Sequence, residues 1–246
     1  MHTYVCVCVG RTVRGRKGDS TRRTVRVSLN EIAYKIVFTG TYVANRASDK
    51  LTYVHDRIYC CRSGSAADTQ AVSDYVRHHL YQHSLDVGRL PTVKAAANLF
   101  RRIVYENKEA LSASIICAGW DPKDGGSVYC LPLGGTCVKQ PYCIGGSGST
   151  YIYGLCDAMY KKDMTKDECV SFVQKALSHA MARDGSSGGV IRMVIITKDN
   201  VERKYIPGDK LPYMVSYPAS HAESKEVREL SGEVESLTVK GTAATK

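Results

Sequence analysis

The chain has 246 residues, 43% of them hydrophobic and 24% charged, with no apolar stretch approaching membrane-span length; this fits a globular protein and excludes a disordered or membrane-embedded one. Its net charge is +10, but residues 1–35 hold Arg11, Arg14, Arg16, Lys17, Arg22, Arg23, Arg26 and Lys35 against only Asp19 and Glu31. The remainder shows no basic cluster interleaved with base-stacking aromatics, so nucleic acid is not an expected partner.

In chain order, the apolar run Val5 to Val9 is too short for a signal-peptide core. Residues 10 to 30 are rich in Arg, Ser and Thr and poor in acid. That composition also suits a mitochondrial transit peptide, but a disordered leader is the expected reading. From about Gly40 to Pro218 the sequence reads as one unit without linker or repeat. RIYCCR, 57–62, predicts a buried strand. Ser65 with Asp68 three residues on predicts the N-cap of a helix running through AVSDYVRHHLYQHSL. Pro91 opens a second helix, with Val93, Ala96, Ala97, Phe100, Ile103 and Val104 on one face.

Three apolar runs separated by glycine turns, SASIICAGW, SVYCLPL and TCVKQPYCIGG, predict an antiparallel meander. Helices are expected at about Ser149–Tyr160 and again after the capping box Thr165-Lys-Asp-Glu168, followed by strands VIRMVIIT and VERKYIP. This order predicts an α+β fold, a sandwich of antiparallel sheets covered by helices. Residues 219–246 carry many charges and few large apolar side chains, and read as a solvated tail.

The ten cysteines sit mostly in apolar runs such as IYCC and SIICAG, as buried free thiols do in a reducing compartment. Cys6, Cys8 and the Cys60/Cys61 pair lack the usual metal spacing, and neither a metal nor a cofactor is expected. The Gly/Ser clusters at 63–65, 145–149 and 184–189 suit strand–helix junctions, where glycine supplies positive φ and serine caps helices. No GxxxxGK[ST] occurs, so a nucleotide site is not expected.

Four segments taken together, GTYVANRASDKLTYVHDRIYCCRSGSAADTQAVSDYV from Gly40, AGWDP at 118–122, IGGSGSTYIYG at 144–154 and RDGSSGGVIR at 183–192, resemble a proteasome beta subunit, closest to the caspase-like (beta-one) class. The resemblance implies the N-terminal nucleophile hydrolase fold, a four-layer αββα sandwich over residues 40–218. It implies a threonine-type endopeptidase of the 20S core that cleaves unfolded polypeptides after acidic residues. It also implies assembly with other alpha and beta subunits in stacked heptameric rings, in cytoplasm and nucleus. Residue by residue, Lys50 matches the lysine that favours deprotonation of the threonine nucleophile. Gly64 matches the backbone N–H of the oxyanion hole, where a Cβ would crowd the substrate. Ser147, Asp184 and Ser187 match the residues that orient the threonine amine and hydroxyl. Arg62 matches the floor of the specificity pocket, where a guanidinium would pair with an acidic substrate side chain.

Residues 1–39 depart from the family pattern. Counting back from Lys50 puts the nucleophile near Gly18 and an aspartate near Tyr34, and neither residue type fits. Thr21 and Thr24 are the nearest threonines, but no threonine follows a glycine within residues 1–39, so the nucleophile stays unassigned. An atypical segment joined to the family body at about Gly40 is expected, with residues 1 to about 30 disordered or loosely packed and the strand before Gly40 only partly replacing the family's first hairpin. The alternative function is a non-catalytic structural ring subunit.

Overall fold

The computed structural model describes residues 49–211 throughout, together with the strand backbones at 4–9, 27–33, 38–39 and 42–43. Twelve strands and four α-helices occupy these residues. β1 (Tyr4–Val9), β2 (Val27–Ala33), β3 (Phe38–Thr39) and β4 (Tyr42–Val43) come first, then β5 (Leu51–His55) and β6 (Ile58–Gly64). α1 (Ala66–Val87) and α2 (Val93–Glu106) follow, then β7 (Ala113–Asp121), β8 (Gly125–Leu131), β9 (Val138–Gln140) and β10 (Tyr142–Gly145). The rest is α3 (Tyr153–Met159), α4 (Lys166–Arg183), β11 (Val190–Ile196) and β12 (Val201–Pro207). This is the expected α+β class with antiparallel sheets.

One sheet has the order β5-β6-β7-β8-β9 and a second the order β10-β1-β2-β11-β12; β3 and β4 form a small pair of their own. All neighbours run antiparallel. Two sequence expectations need correction here. The first hairpin is present: β1 pairs with β2 from Tyr4↔Ile32 to Val9↔Val27, and these strands join β10 to β11 within the second sheet. An apolar alternation too short to stand out alone is held by partners on both sides. Gly18, Thr21, Thr24, Tyr34 and the 219–246 tail lie outside the described residues. The second correction is the meander, whose third run is two strands, β9 closing the first sheet and β10 opening the second. Pro141 separates them; it has no N–H to donate to a ladder and suits the point where the chain leaves one sheet for the other.

Apolar side chains divide into three groups. Val72, Val76 and Leu80 of α1 and Val93, Ala96, Ala97, Phe100 and Val104 of α2 pack with Ile58, Cys60, Ile115 and Cys117 of the first sheet. The 93, 96, 97, 100, 104 spacing is one face of a 3.6-residue helix. A second group joins Cys169, Phe172, Val173, Ala176, Leu177 and Ala180 of α4 to Ile191, Met193 and Ile195. The third draws on both sheets, with Leu51, Tyr59, Cys61, Ile116 and Val128 from one and Cys143, Val194 and Ile196 from the other. Alternation sorts β6 and β11 between groups: Cys60 goes to the helices and Cys61 to the opposite sheet, as a period of two requires.

Capping follows the sequence closely. Ser65 accepts from the Asp68 N–H, and Thr165 and Glu168 form a reciprocal box at α4. α2 starts one turn position later than Pro91 suggested, because Thr92 is the cap and its hydroxyl accepts from Ala95 N at 3.1 Å. The helix expected from Ser149 is a 3-10 turn at Ser147–Tyr151 that passes into α3. Every cysteine within residues 49–211 is a free thiol. Among the described residues, no three His, Cys, Asp or Glu side chains gather as a metal group, and no helix is long and apolar enough to cross a membrane.

Candidate active site

Asp184 stands at the C-terminal cap of α4, its N–H bonded to Ala180 O, and the chain then folds back over its side chain. Ser186 N donates to Asp184 Oδ1 at 3.1 Å, and Ser187 N donates to the Asp184 carbonyl at 2.9 Å. Two hydroxyls converge on the other carboxylate oxygen: Ser187 Oγ at 2.5 Å and Ser147 Oγ at 2.6 Å. Ser147 arrives from elsewhere in the sequence, at the end of β10 after Gly146, whose φ of +87° turns the chain out of the sheet. Asp184 is 7% and Ser187 5% exposed.

Burial alone would raise the Asp184 carboxyl, but the Ser147, Ser187 and Ser186 donors outweigh it and hold the group below its ordinary value. Asp184 is therefore ionised at neutral pH. Because each serine donates its own proton to the carboxylate, each can meet an amine or hydroxyl only as an acceptor.

A second set of candidates collects at one end of the β5–β6 ladder. Leu51 pairs with Cys61, and Lys50 just before it stands at the same end as Arg62. Lys50 is only 5% exposed; a buried lysine is uncommon and marks a place where its charge is held. Arg62 donates to Asp49 O at 3.4 Å and, through its other terminal nitrogen, to Ala66 O and Thr69 Oγ1 at 3.5 Å each. These are long bonds to neutral groups. Its Nε is buried without a hydrogen bond, and no carboxylate pairs with Arg62 among the described residues.

Gly64 ends β6 with φ +104°. An added Cβ would meet Ser112 O at 2.3 Å, so the glycine is required by its own backbone conformation and by a close backbone neighbour. The sequence reading assigned that need to the substrate. Ser112 and Asp68 complete this corner and were not singled out as a pair: Asp68 Oδ2 accepts Ser112 N at 3.0 Å, and Ser112 O accepts Ser65 N at 2.8 Å. Forty-four positions separate Asp68 from Ser112, so no local pattern announces the contact. The AGWDP motif has a structural use. Buried Asp121 accepts from Val93 N at 3.0 Å, Lys123 N at 2.9 Å and Asp124 N at 2.8 Å, tying α2 to the β7–β8 turn.

A carboxylate with two oriented hydroxyls, a buried lysine and a glycine amide at a strand end are the polar groups these elements present. Residues 32–196 match the family model described as "Proteasome: Proteasome subunit". The chain belongs to the proteasome subunit family. It is 63% identical over 174 residues to proteasome subunit beta type-6 of Dictyostelium discoideum, covering 71% of this chain and 81% of that one. Proteasome subunit beta type-6 of Arabidopsis thaliana is 57% identical over 173 residues, 70% of this chain and 74% of its own. Proteasome subunit beta type-1 of Saccharomyces cerevisiae is 55% identical over 165 residues, 67% and 76%.

Proposed function

We propose that this chain is a threonine-type endopeptidase subunit of the 20S proteasome core with caspase-like specificity, built as a four-layer αββα sandwich and working in stacked heptameric rings of cytoplasm and nucleus. The observation that carries the reading is the convergence of Ser147 and Ser187 on the ionised Asp184 carboxylate. In this reading the two serine oxygens accept hydrogen bonds from an N-terminal threonine and fix its amine as the base. That amine takes the hydroxyl proton, and the Lys50 cation lowers the cost of the developing alkoxide. The alkoxide attacks the scissile carbonyl, and the Gly64 N–H donates to the oxyanion that forms.

Arg62 sets the specificity. Among the described residues its guanidinium has only long neutral contacts, and a substrate glutamate or aspartate would supply a charge-assisted pair. Such a pair contributes about 1.5–3 kcal/mol, or roughly 10- to 150-fold in rate for acidic over neutral peptides.

A second reading, a ring subunit without turnover, draws on one fact: no threonine follows a glycine within residues 1–39. The test is the assembled particle carrying Arg62→Ala or Asp184→Asn in this subunit, assayed on peptides with Glu, Leu or Arg before the scissile bond. Arg62→Ala should depress Glu cleavage alone by at least tenfold, and Asp184→Asn should abolish it. Glu cleavage untouched by both substitutions would favour the second reading.

A further inference from the structure

The segment that carries Lys50 lies at an edge of the fold. β5 is the outer strand of the first sheet and β12 the outer strand of the second. A cleft of about 100 Å3 lies between them, lined in part by Asp49, Leu51, Arg192, Val194, Arg203 and Tyr205. Side-chain packing therefore leaves space beside residues 49–51, and polar contacts hold them instead. Asp49 Oδ1 accepts Leu51 N at 2.9 Å, which closes a tight turn around Lys50.

From across the cleft Arg203, on β12, spreads its two terminal nitrogens over that turn. Nη1 donates to Asp49 Oδ2 at 3.5 Å and Nη2 to Leu51 O at 3.3 Å. The guanidinium also stands 5.8 Å from the centroid of the Tyr59 ring, on β6 of the first sheet. A planar fork suits this task, because it reaches two acceptors between which a lysine ammonium would have to choose. Neighbouring cations are engaged elsewhere: Lys204 pairs with Glu202 at 3.6 Å, and Arg192 lies over the Tyr205 ring at 5.3 Å. Arg203 thus holds the residue before Lys50 and the residue after it, from the opposite sheet.

We propose that Arg203 is a positioning residue, which fixes the Asp49–Leu51 turn so that the Lys50 cation stays where negative charge develops on the nucleophile. The inference rests on the proposed function and adds to it a residue that acts only through Lys50. Asp49 is the other half of the device, and loss of either side chain releases the turn into the cleft. Both side chains are exposed, so their ion pair contributes little to stability. What a substitution changes is the placement of a charge, and reaction rates are far more sensitive to placement than folding is.

The test measures kcat and KM separately on a Glu peptide, with assembled particles. Arg203→Ala should lower kcat about tenfold and leave KM within about twofold. Asp49→Asn, which keeps an acceptor for Leu51 N, should do the same, and the double variant should be no slower than either, because both remove one bridge. Arg203→Lys, which keeps the charge beside Asp49, should regain part of kcat. Arg57→Ala is the structural control: Arg57 donates to Lys198 O at 2.5 Å, a bond between the β5–β6 and β11–β12 turns, and its loss should leave both constants unchanged. Where the alanine variant fails to assemble, Arg203→Gln, which loses the charge, is read by the same criteria. Wild-type kcat in Arg203→Ala, a raised KM with kcat unchanged, additive losses in the double variant, or an equal kcat loss in Arg57→Ala would each overturn the proposal. Asp184→Asn separates this from the underlying reading. Glu cleavage that survives Asp184→Asn removes the threonine mechanism itself, whereas cleavage abolished by Asp184→Asn and untouched by Arg203→Ala removes the role of Arg203 alone.

Discussion

Four glycine-to-alanine substitutions separate the two reasons a glycine can be required, and Gly64 is where both act. Gly88 caps α1 at φ +67° with nothing within 4 Å of an added Cβ, so Gly88→Ala carries the conformational cost alone, about 1–2 kcal/mol. At Gly119 the backbone is ordinary, but a Cβ would lie 2.4 Å from Arg57 O and 3.0 Å from Ile58 Cα. Gly119→Ala therefore carries overpacking alone, about 1–3 kcal/mol. Gly64 has φ +104° and a Cβ position 2.3 Å from Ser112 O. To restore ordinary contact that oxygen must retreat by about 1 Å, which pulls it from Ser65 N and adds the net loss of one hydrogen bond, about 1 kcal/mol. Gly64→Ala should then cost about 4 kcal/mol, while Gly185→Ala, with open space and no positive φ, should stay within about 0.5 kcal/mol. In urea unfolding followed by circular dichroism, with m about 2 kcal/mol/M, the Gly64→Ala midpoint should fall by about 2 M. A Gly64→Ala midpoint no lower than that of Gly88→Ala would refute the steric argument and free the Ser112 carbonyl from any part in holding this corner.

Other outcomes follow from named contacts. Asp184 is held below its ordinary value of 3.8, so its contribution to stability is complete above pH 3.8 and is lost as pH falls through the folded value; Asp184→Asn should remove that part of the acid-unfolding profile. His55 is lowered from 6.5 chiefly by burial, and its Nδ1 accepts Asp56 N at 2.8 Å. Its unfolded form therefore binds the proton first, and stability should fall as pH drops below 6.5, a slope that His55→Gln flattens. Asp68→Ala should cost about 1 kcal/mol by releasing Ser112 N, and in an active particle should lower kcat with KM little changed, whereas Asp68→Asn, which keeps an acceptor, should recover most of both.

The fold was legible wherever a signal is local. Ser65, Thr165 and Glu168 announce helix starts because capping is decided within four residues. The buried faces of α2 and α4 are legible because 3.6-residue spacing is a property of the segment alone. β5 was missed, since LTYVH is short and takes its place from Cys61, Cys60 and Tyr59 across the ladder. β1 and β2 were missed for the same reason, and the β9–β10 division depends on which sheet receives each half. Hydrogen bonds from partners far along the chain choose these assignments, and no window of sequence contains them.

The candidate site divides along the same line, and the division says what makes it a site. Lys50 read alone is an ordinary surface lysine; only the closed structure makes it 5% exposed. Ser147 and Asp184 are 37 positions apart and meet through a strand end and a helix cap, each an ordinary feature by itself. What a sequence can carry is the set of loops with glycine and serine at strand–helix junctions, and those loops are where this fold delivers polar groups free of ladder hydrogen bonds. The backbone bonds that fix Ser186 and Ser187 around Asp184 come from the loop itself, so the carboxylate and its serine donors are set before any ligand arrives. Under the proposed function, a site organised this way would have little ordering left to do on meeting the threonine amine, which is the condition under which electrostatic preorganisation lowers a barrier rather than merely holding a ligand.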